Sequence, residues 1–240
     1  MKVLLIDDHP LILSALQTVI QGLGDDVTVV GAGSARAARE TLRKDAHFDL
    51  VLLDLQLGDA DGFDVLAEFR QAYPALPVVV VSASDRASDV IRAIDLGAMG
   101  FVPKRASNET LFEALHMVMS GGIYVPAMTM GSDKSAERPE GDTVPSVLRV
   151  VRDNALDSGF QTQPGVDSLG LTPRQTEVLA LLLKGHPNKL IARELGLSVE
   201  TVKDHVAAVL RALNVNSRTQ AVLAVSQMSQ QQQGGFRKAP

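Results

Sequence analysis

The chain contains no cysteine among its 240 residues. A disulfide framework, a thiolate zinc site and a cysteine nucleophile are therefore excluded. Its five histidines are scattered without ligand-like spacing, so we expect no structural zinc site. No apolar run is long enough to span a bilayer, and Val3–Ile6 is too short for the core of a signal peptide. We expect a cytoplasmic protein that makes no membrane contact.

Charge is divided unevenly along the chain, although the net charge is only −5. Residues 1–130 hold 10 Lys/Arg and 17 Asp/Glu, a net charge of −7, whereas residues 171–240 hold 9 and 4, a net charge of +5. Between them, residues 131–170 are rich in Ser, Asp, Glu and Gly, as is typical of a linker. This division predicts two modules with different partners, of which the basic rear one suits a polyanion.

The front module alternates short apolar runs with segments of helical spacing. The predicted strands are Val3–Ile6, Val27–Val30, Leu50–Leu53, Val78–Val81 and Gly100–Val102, and the predicted helices are Leu11–Ile20, Ala35–Arg43, Phe63–Gln71, Ala87–Leu96 and Glu109–Met119. This (βα)₅ order predicts an α/β fold, a doubly wound parallel sheet with helices on both faces.

Charged side chains stand where three of these strands end. Asp7 and Asp8 follow the first strand, Asp54 follows the third and Lys104 follows the fifth. Because the carboxyl ends of parallel strands share one edge, we expect an acidic pocket there with one cation beside it. Carboxylates within about 4 Å repel by roughly 4 kcal/mol per pair at an effective dielectric near 20. The pocket must therefore bind a divalent cation or take up protons, and hard oxygen ligands suit Mg²⁺.

The rear module has the helix-capping signals of a small helical domain. Thr172, Pro173 and Gln175 form a capping box that starts a helix to about Lys184. A second helix near Asn188–Leu195 ends at Gly196, and Ser198 caps a third that runs to about Leu213. Ser217 repeats the cap for a fourth helix through Val225. The order helix, tight turn, helix predicts a helix-turn-helix, although a generic helical hairpin would give the same pattern of Leu and Gly.

Residues 1–125 resemble the receiver domain of a two-component response regulator. The resemblance rests on the acidic pair, Asp54, Ser82 after the fourth strand and Lys104. It implies that Asp54 accepts a phosphoryl group from a sensor histidine kinase and that Lys104 contacts the phosphoryl oxygens. It also implies that Asp8 binds Mg²⁺ directly, that Asp7 binds it through water, and that Asp54 and the Gln56 backbone carbonyl complete the site.

Two further positions match the switch residues of that family. The resemblance implies that the Ser82 hydroxyl turns toward the phosphoryl group and that the Phe101 ring fills the volume it leaves. Taken alone, Phe101 is better explained as an ordinary core aromatic. The sequence departs from many receivers in placing Pro103 before Lys104, so the backbone geometry there is open. Gln56 and Ser84 would line the path of attacking water.

The rear module, residues 169–226, resembles the LuxR-type DNA-binding domain. The match extends over Leu171-Thr172-Pro173-Arg174, Glu177-Val178-Leu179, Gly185, Asn188-Lys189, Leu195-Gly196-Leu197-Ser198, Thr201-Val202-Lys203 and Arg218-Thr219-Gln220-Ala221. With the receiver in front, the whole chain resembles the NarL/FixJ family of response regulators. The resemblance implies double-stranded DNA as a partner.

The third rear helix would then be the recognition helix. Lys203, Ala207 and Arg211 recur along one face of it, and Lys203 is placed to read bases in the major groove. Asp204 departs from an all-basic face, since it would repel phosphates but could accept from cytosine N4. The residues better placed for phosphates are Lys184, Asn188, Lys189, Thr201, His205, Arg211 and Arg218. About half of these residues are explained equally well as solvated surface charges that make no DNA contact.

Two segments fall outside the resemblance. Residues 126–168 form a linker with a possible short amphipathic helix over 146–154. Residues 227–240 contain four consecutive glutamines followed by two glycines, and we expect a disordered tail.

We therefore expect a DNA-binding transcription factor of the bacterial cytoplasm, not an enzyme, whose phosphorylation promotes dimerisation and operator binding. Two alternatives remain open at this stage. A phosphatase-like enzyme with an Asp nucleophile usually carries a second carboxylate two residues on, where this chain has Gln56. A constitutive DNA-binding protein with a non-signalling receiver would more naturally lack Asp7, Asp8 or Asp54.

We also expect two contacts, one between two copies of the chain and one between its two domains. The homodimer is expected to form through the first and fifth receiver helices, where Leu11, Ile12, Met117 and Met119 offer apolar atoms, or through the fourth helix and fifth strand. In the resting state the basic domain is expected to rest on the acidic receiver and so to mask Lys203.

Overall fold

The structure, a computed structural model, describes residues 1–24, 26–126 and 169–234. Two folded units lie in these ranges, an α/β domain followed by an all-helical domain. Within the described residues, no helix is both long enough and apolar enough to cross a membrane. The predicted short helix over 146–154 lies outside the described residues.

The receiver is built on a five-stranded parallel sheet. Its strands are β1 (Lys2–Ile6), β2 (Thr28–Ala32), β3 (Leu50–Leu53), β6 (Val78–Ser82) and β7 (Gly100–Pro103), in the order β2-β1-β3-β6-β7. Strand β1 lies between β2 and β3, and β3 pairs with β6, so the apolar runs predicted as buried strands occupy the middle of the sheet. The predicted doubly wound α/β fold is confirmed.

Five helices cover the two faces of this sheet. They are α1 (Pro10–Gln21), α2 (Ala35–Lys44), α3 (Gly62–Ala72), α4 (Ala87–Asp95) and α5 (Asn108–Met119). Alternate strand residues enter separate cores, because successive side chains of a strand point to opposite faces. Leu4, Ile6 and Leu53 lie in one core, and Leu5 and Leu52 lie in the other. Every predicted helix is present, with its ends displaced by no more than one or two residues.

A short hairpin that the sequence pattern did not predict follows Asp54. Strands β4 (Gln56–Leu57) and β5 (Ala60–Asp61) pair antiparallel and carry the chain from β3 into α3. Gly62 makes this return possible, because a Cβ at this position would lie 2.3 Å from Leu55 Cα. The Gly62 N–H also donates to the Leu55 carbonyl, at 3.1 Å. The close backbone approach holds the residues directly after Asp54 in place.

The second domain has four helices, as predicted. They are α6 (Pro173–Leu183), α7 (Asn188–Leu195), α8 (Val199–Ala212) and α9 (Arg218–Gly234). Thr172 and Gln175 form the predicted capping box, Gly196 ends α7 in the left-handed region with φ 64°, and Ser198 caps α8. Val178, Leu182, Ile191, Val202, Val206 and Leu210 are among the residues of its single core.

The last helix corrects our expectation of a disordered tail from residue 227. Helix α9 continues to Gly234, through the four glutamines. Glutamine is a good helix former, and Met228 packs against the core of the second domain, so the chain has both the local preference and an apolar anchor to extend the helix. Residues 235–240 lie outside the described range.

Replacing Gly62 should destabilise the receiver. The Gly62→Ala substitution puts a methyl group against the Leu55 backbone, which cannot move as a side-chain tip can, so we expect a loss of about 1–3 kcal/mol in the free energy of unfolding. Urea denaturation measures it. Gly33→Ala is the matched control, since nothing lies within 4 Å of a Cβ built there. Equal urea midpoints for the two variants would contradict the close approach at Gly62.

Candidate functional site

The three predicted carboxylates converge at the carboxyl-terminal edge of the sheet. Asp7 and Asp54 are buried, each with 1% of its side chain exposed, and Asp8 is 28% exposed. Lys104 Nζ lies 2.7 Å from Asp54 Oδ2 and 2.7 Å from Asp7 Oδ2, so one ammonium group bridges two carboxylates. The Gly58 N–H donates to Asp8 Oδ2 at 2.9 Å and holds the third carboxylate at the rim. The residues that the sequence placed in one pocket therefore do meet.

Burial and charge act against each other in this pocket. Burial raises the pKa of the Asp54 carboxyl above its usual value, and the hydrogen bonds from Lys104 and the Gln56 N–H lower it only in part. Burial would lower the pKa of Lys104, but its bonds to Asp54 and Asp7 outweigh burial and raise that pKa. Lys104 is therefore a cation at neutral pH, and it offsets only part of the negative charge around it.

The donor set fits a divalent cation. Asp7 Oδ2 and Asp8 Oδ1 are buried, and neither has a backbone N–H as a partner among the described residues. Their close neighbours are Lys104 Nζ and the ring of His9, whose Nδ1 lies 2.8 Å from Asp8 Oδ1. Ligand atoms of Asp7, Asp8, His9 and Asp54 all lie within 4.8 Å of one another. Three carboxylates that face only one ammonium group and one imidazole, with part of the pocket open to water, are suited to a hard metal ion.

Ser82, one of the two predicted switch residues, lies at the same edge of the sheet. Ser82 is fully buried, and its hydroxyl accepts a hydrogen bond from the Ser84 N–H at 3.2 Å. The Ser82 carbonyl accepts from the Lys104 N–H at 2.7 Å, so a backbone hydrogen bond joins the end of β6 to the residue that carries the ammonium group. Pro103, the residue that departs from many receivers, is the last residue of β7 and pairs with Ser82 in the sheet.

Phe101 lies inside the core of the first domain. Its side chain is already fully buried, in the core that also contains Val80 and Val90. A ring in this position could repack if Ser82 moved, and its role as a switch stays a prediction.

The predicted recognition helix, α8, faces the receiver. Lys203 has only 13% of its side chain exposed, and its Nζ donates to the Phe48 carbonyl at 3.0 Å. The same atom lies 3.4 Å from Asp49 Oδ1 and 2.8 Å from Glu200 Oε1. Lys203, which is predicted to read bases, therefore contacts the residues just before β3, Phe48 and Asp49.

The other predicted DNA residues differ in exposure and in their contacts. Lys184, Lys189, Asp204 and Arg211 are exposed, and Thr201, His205 and Ala207 are half-buried. Asn188 is half-buried at the start of α7, and its Oδ1 is buried without a hydrogen-bond partner among the described residues. Arg218 donates to the His186 carbonyl, which connects α9 to the turn before α7. Arg218 therefore has a structural bond in addition to its predicted phosphate contact.

A second contact between the domains was not predicted from the sequence. Arg70, near the end of α3, is 2% exposed, and it donates to the Asn216 carbonyl through Nε at 3.1 Å and Nη2 at 2.8 Å. Its guanidinium also donates to the Pro74 and Leu76 carbonyls. Nearby, Gln220 Nε2 donates to the Asp95 carbonyl at 3.0 Å. The turn before α9 is thereby attached to the receiver.

Arg70 is unusual because carbonyl oxygens surround it. No described carboxylate forms an ion pair with it, and burial lowers its pKa to about 10. A surface arginine near the end of a helix is ordinary, so the sequence carries no signal for this role. His9 was missed for a different reason: its position directly after Asp7 and Asp8 was visible, but a search for spaced histidine pairs does not find a histidine beside two aspartates.

The two sites lie at opposite edges of the sheet. Asp7, Asp54 and Lys104 come directly after strands. The contacts with the second domain come from residues that precede strands. These are Phe48 and Asp49 before β3, Leu76 before β6 and Gly97 before β7. A strand of five residues spans roughly 16 Å. Chemistry in the acidic pocket does not touch the domain contact directly.

Comparison with known proteins matches both domains. The model of the response regulator receiver domain matches residues 3–116, and that of the bacterial regulatory proteins of the luxR family matches residues 169–225. The glycerol metabolism activator of Pseudomonas putida is 33% identical over 93% of this chain and 94% of its own length. The nitrate/nitrite response regulator NarL of Escherichia coli K12 is 32% identical over 94% of both chains.

A solved structure has the same arrangement of folds. The structure of two RcsB dimers bound to two parallel DNAs aligns with 94% of this chain and 98% of its own, with 21% identity and a TM-score of 0.50. Together with the two family matches, these relatives cover both domains. The chain belongs to the response regulators that join a receiver domain to a luxR-family DNA-binding domain, and it is a phosphorylation-controlled transcription regulator of a two-component system.

Proposed function

We propose that Asp54 is the phosphoacceptor and that a sensor histidine kinase is its donor. The observation that carries this proposal is the convergence of Asp7, Asp8, Asp54 and Lys104 at one edge of the sheet. An oxygen of the Asp54 carboxylate attacks phosphorus in line, the bond from phosphorus to the donor nitrogen breaks, and an acyl phosphate forms. Lys104 is within reach of the transferred group and neutralises charge on its oxygens.

The proposed cation is Mg²⁺, held by the Asp8 and Asp54 carboxylates, by Asp7 through water and by the Gln56 carbonyl. When bound, it neutralises charge on the equatorial phosphoryl oxygens. Three carboxylates around a single ammonium group support this assignment, because they leave the pocket with excess negative charge. The rearrangement that follows is proposed to pass through Ser82 and the repacking of Phe101, because Ser82 is joined to the Lys104 backbone by a hydrogen bond.

The docked second domain supports a resting state in which DNA binding is blocked. Lys203 contacts Phe48 and Asp49, and Arg70 binds the turn before α9. The contact is imperfectly packed, since a cavity of about 470 Å³ lies between the two domains and is lined by residues of both, among them Arg70, Lys189 and Lys203. Hydrogen bonds beside a cavity give a weaker contact than a close-packed core, which suits a reversible block.

Release is proposed to accompany dimerisation. Leu11 on α1 is 86% exposed and Met117 on α5 is 45% exposed, so these neighbouring helices present apolar side chains to solvent. Ile12 is half-buried and still presents part of its side chain to solvent. Met119 packs partly against the receiver core and therefore contributes less to the exposed apolar surface. A symmetric contact through α1 and α5 would cover this surface and place two recognition helices on one duplex. Because its partner is the chromosome, the proposed location is the bacterial cytoplasm.

In the DNA-bound state we propose that Lys203 reads bases, with Asp204, Ala207 and Arg211 on the same helix. Lys184, Asn188, Lys189, Thr201, His205 and Arg218 are proposed to contact phosphates. Ser198 caps α8 at its start, which places Lys203 in the first two turns, where recognition helices of this type contact base edges. Two half-sites one helical turn apart would be separated by about 34 Å.

Phosphorylation should occur at Asp54 alone. With Mg²⁺ and acetyl phosphate, we expect the full chain to gain the mass of one phosphoryl group, and we expect hydroxylamine to remove it, because an acyl phosphate is cleaved where a phosphoserine survives. Intact-mass spectrometry records both steps. Asp54→Asn should not be labelled, whereas Asp64→Asn, which changes an exposed aspartate in the first turn of α3, should be labelled as the parent is. Labelling of Asp54→Asn at the parent's level would contradict the assignment.

Joining the two domains covalently should block DNA binding. A Cβ built on Gly97 lies 3.2 Å from Ser217 Cβ, close to the spacing of about 3.8 Å in disulfides, and the chain has no cysteine of its own. We expect the oxidised Gly97→Cys/Ser217→Cys protein to bind a DNA site selected from random duplexes at least about tenfold more weakly than the reduced protein, a difference of about 1.4 kcal/mol.

The two single-cysteine variants control for the strain at Gly97, whose φ is 98°, and for the loss of the Ser217 cap. Their DNA affinity should not depend on reductant. Phosphorylation should not restore binding to the oxidised double variant. If this oxidised protein binds as tightly as the reduced one, the docked arrangement does not block DNA.

Two lysines should separate base reading from phosphate contact. In the phosphorylated protein, Lys203→Ala should cost roughly 1–3 kcal/mol on the selected site and relax specificity at one position. Lys189→Ala should weaken selected and random DNA alike and reduce the slope of affinity against salt concentration by about 1. Fluorescence anisotropy over a range of salt concentrations measures both. Equal losses on selected and random DNA for Lys203→Ala would exclude a base contact.

A further inference from the structure

His9 stands beside the acidic pocket but does not act as a helix cap. It precedes α1 with φ −93° and ψ 105°, and its side chain makes no capping hydrogen bond. Pro10 fixes the first residue of the helix, and the His9 N–H donates to Asp7 Oδ1 at 2.9 Å. The backbone of His9 is therefore held at both sides, and its ring turns toward the carboxylates.

The imidazole nitrogen lies within the pocket's ligand set. Nδ1 is 2.8 Å from Asp8 Oδ1 and 3.3 Å from Asp7 Oδ1. Ligand atoms of His9 and the three aspartates lie within 4.8 Å of one another. Opposite ligands of an octahedral ion with bonds near 2.1 Å are about 4.2 Å apart. Small side-chain adjustments would therefore bring the His9 nitrogen and the Asp8 and Asp54 oxygens to one ion, with Asp7 binding it through water.

We propose that His9 Nδ1 is a direct ligand of the divalent cation in this pocket and makes it prefer ions that accept nitrogen, such as Mn²⁺ and Co²⁺, over Mg²⁺. This proposal rests on the metal site of the proposed function. Mg²⁺ takes oxygen ligands almost exclusively, whereas imidazole suits later transition metals, and affinity rises from Mn²⁺ to Co²⁺ at a given nitrogen-containing site. The receiver would then respond to which metal ion is available.

A ligand and an orienting residue differ in what they do to the bound ion. The same 2.8 Å contact would let His9 hold the Asp8 carboxylate by a hydrogen bond while the ion touches oxygens only. An orienting imidazole leaves no nitrogen in the coordination sphere. A ligand places its nitrogen nucleus next to the unpaired electrons of Mn²⁺, and that nucleus is detected by pulsed electron paramagnetic resonance.

The test uses the full chain without a histidine tag, with less than one equivalent of Mn²⁺ in a buffer that has no nitrogen ligands. We expect electron spin echo modulation from a directly bound ¹⁴N, and we expect its pattern to change when the histidines are labelled with ¹⁵N. His9→Asn should abolish the ¹⁴N modulation. His47→Asn is the matched control, because His47 Nδ1 lies 2.9 Å from Asp45 Oδ1 in a similar pair outside the pocket.

Calorimetric titrations give the second readout. We expect His9→Asn to weaken Mn²⁺ binding by about tenfold and to leave Mg²⁺ binding within about twofold, so that the ratio of the two affinities falls. His47→Asn should change neither. If Mn²⁺ binds with no ¹⁴N modulation and Asp8→Asn still abolishes binding, the role of His9 is overturned and the metal site stands. If Asp8→Asn leaves Mn²⁺ binding unchanged, the metal site of the proposed function is overturned as well.

Discussion

The ion pair of Lys104 with Asp7 and Asp54 is the interaction on which the rest of the structure depends. It exists because a parallel sheet brings the ends of β1, β3 and β7 to one edge, so that residues far apart in sequence share a pocket. Lys104 leaves this pocket negative, since Asp8 is also there. A pocket with excess negative charge attracts a cation, and a bound cation would admit a phosphoryl group that the bare carboxylates would repel.

Distance decides how this chemistry can reach the DNA-binding domain. The pocket and the docking surface lie at opposite ends of the strands, roughly 16 Å apart for β1. Two unit charges at that separation in water interact by about 0.3 kcal/mol before salt screening. Direct repulsion is too small to release a domain held by Lys203, Arg70 and Gln220. The signal must therefore travel by rearrangement of packed elements, from Ser82 and the Lys104 loop, or by dimerisation.

Much of the fold could be predicted from the sequence because local signals there agree with the tertiary structure. Apolar runs that end in Asp7, Asp54 and Lys104 are read correctly as buried parallel strands, and Thr172 and Ser198 cap their helices as their spacing predicts. The hairpin after Asp54 was missed because strands of two residues have no recognisable periodicity. A single glycine, Gly62, does not by itself predict a close approach of two backbone segments.

Long-range contacts explain the other differences. The extension of α9 beyond Val225 depends on packing of Met228, which no pattern of glutamines reveals. The burial of Arg70 depends on where a separate domain docks, and its carbonyl partners are backbone atoms that carry no sequence signature. The masking of Lys203 was predicted from net charge, but the contact uses the Phe48 carbonyl and one carboxylate, Asp49, and not a broad acidic surface.

The central claim is that the receiver covers the recognition helix until Asp54 is phosphorylated. It is tested most directly by the rate at which an amine-reactive reagent acylates Lys203, measured by peptide mass spectrometry on the full chain before and after treatment with phosphoramidate and Mg²⁺. Lys203 is 13% exposed, whereas Lys184 is exposed and does not line the cavity between the domains, so Lys184 serves as the internal reference. The account predicts that Lys203 is protected at first and becomes as reactive as Lys184 after phosphorylation, while Lys184 does not change. Equal reactivity of the two lysines in the unphosphorylated protein, or continued protection of Lys203 in fully phosphorylated protein, would contradict it.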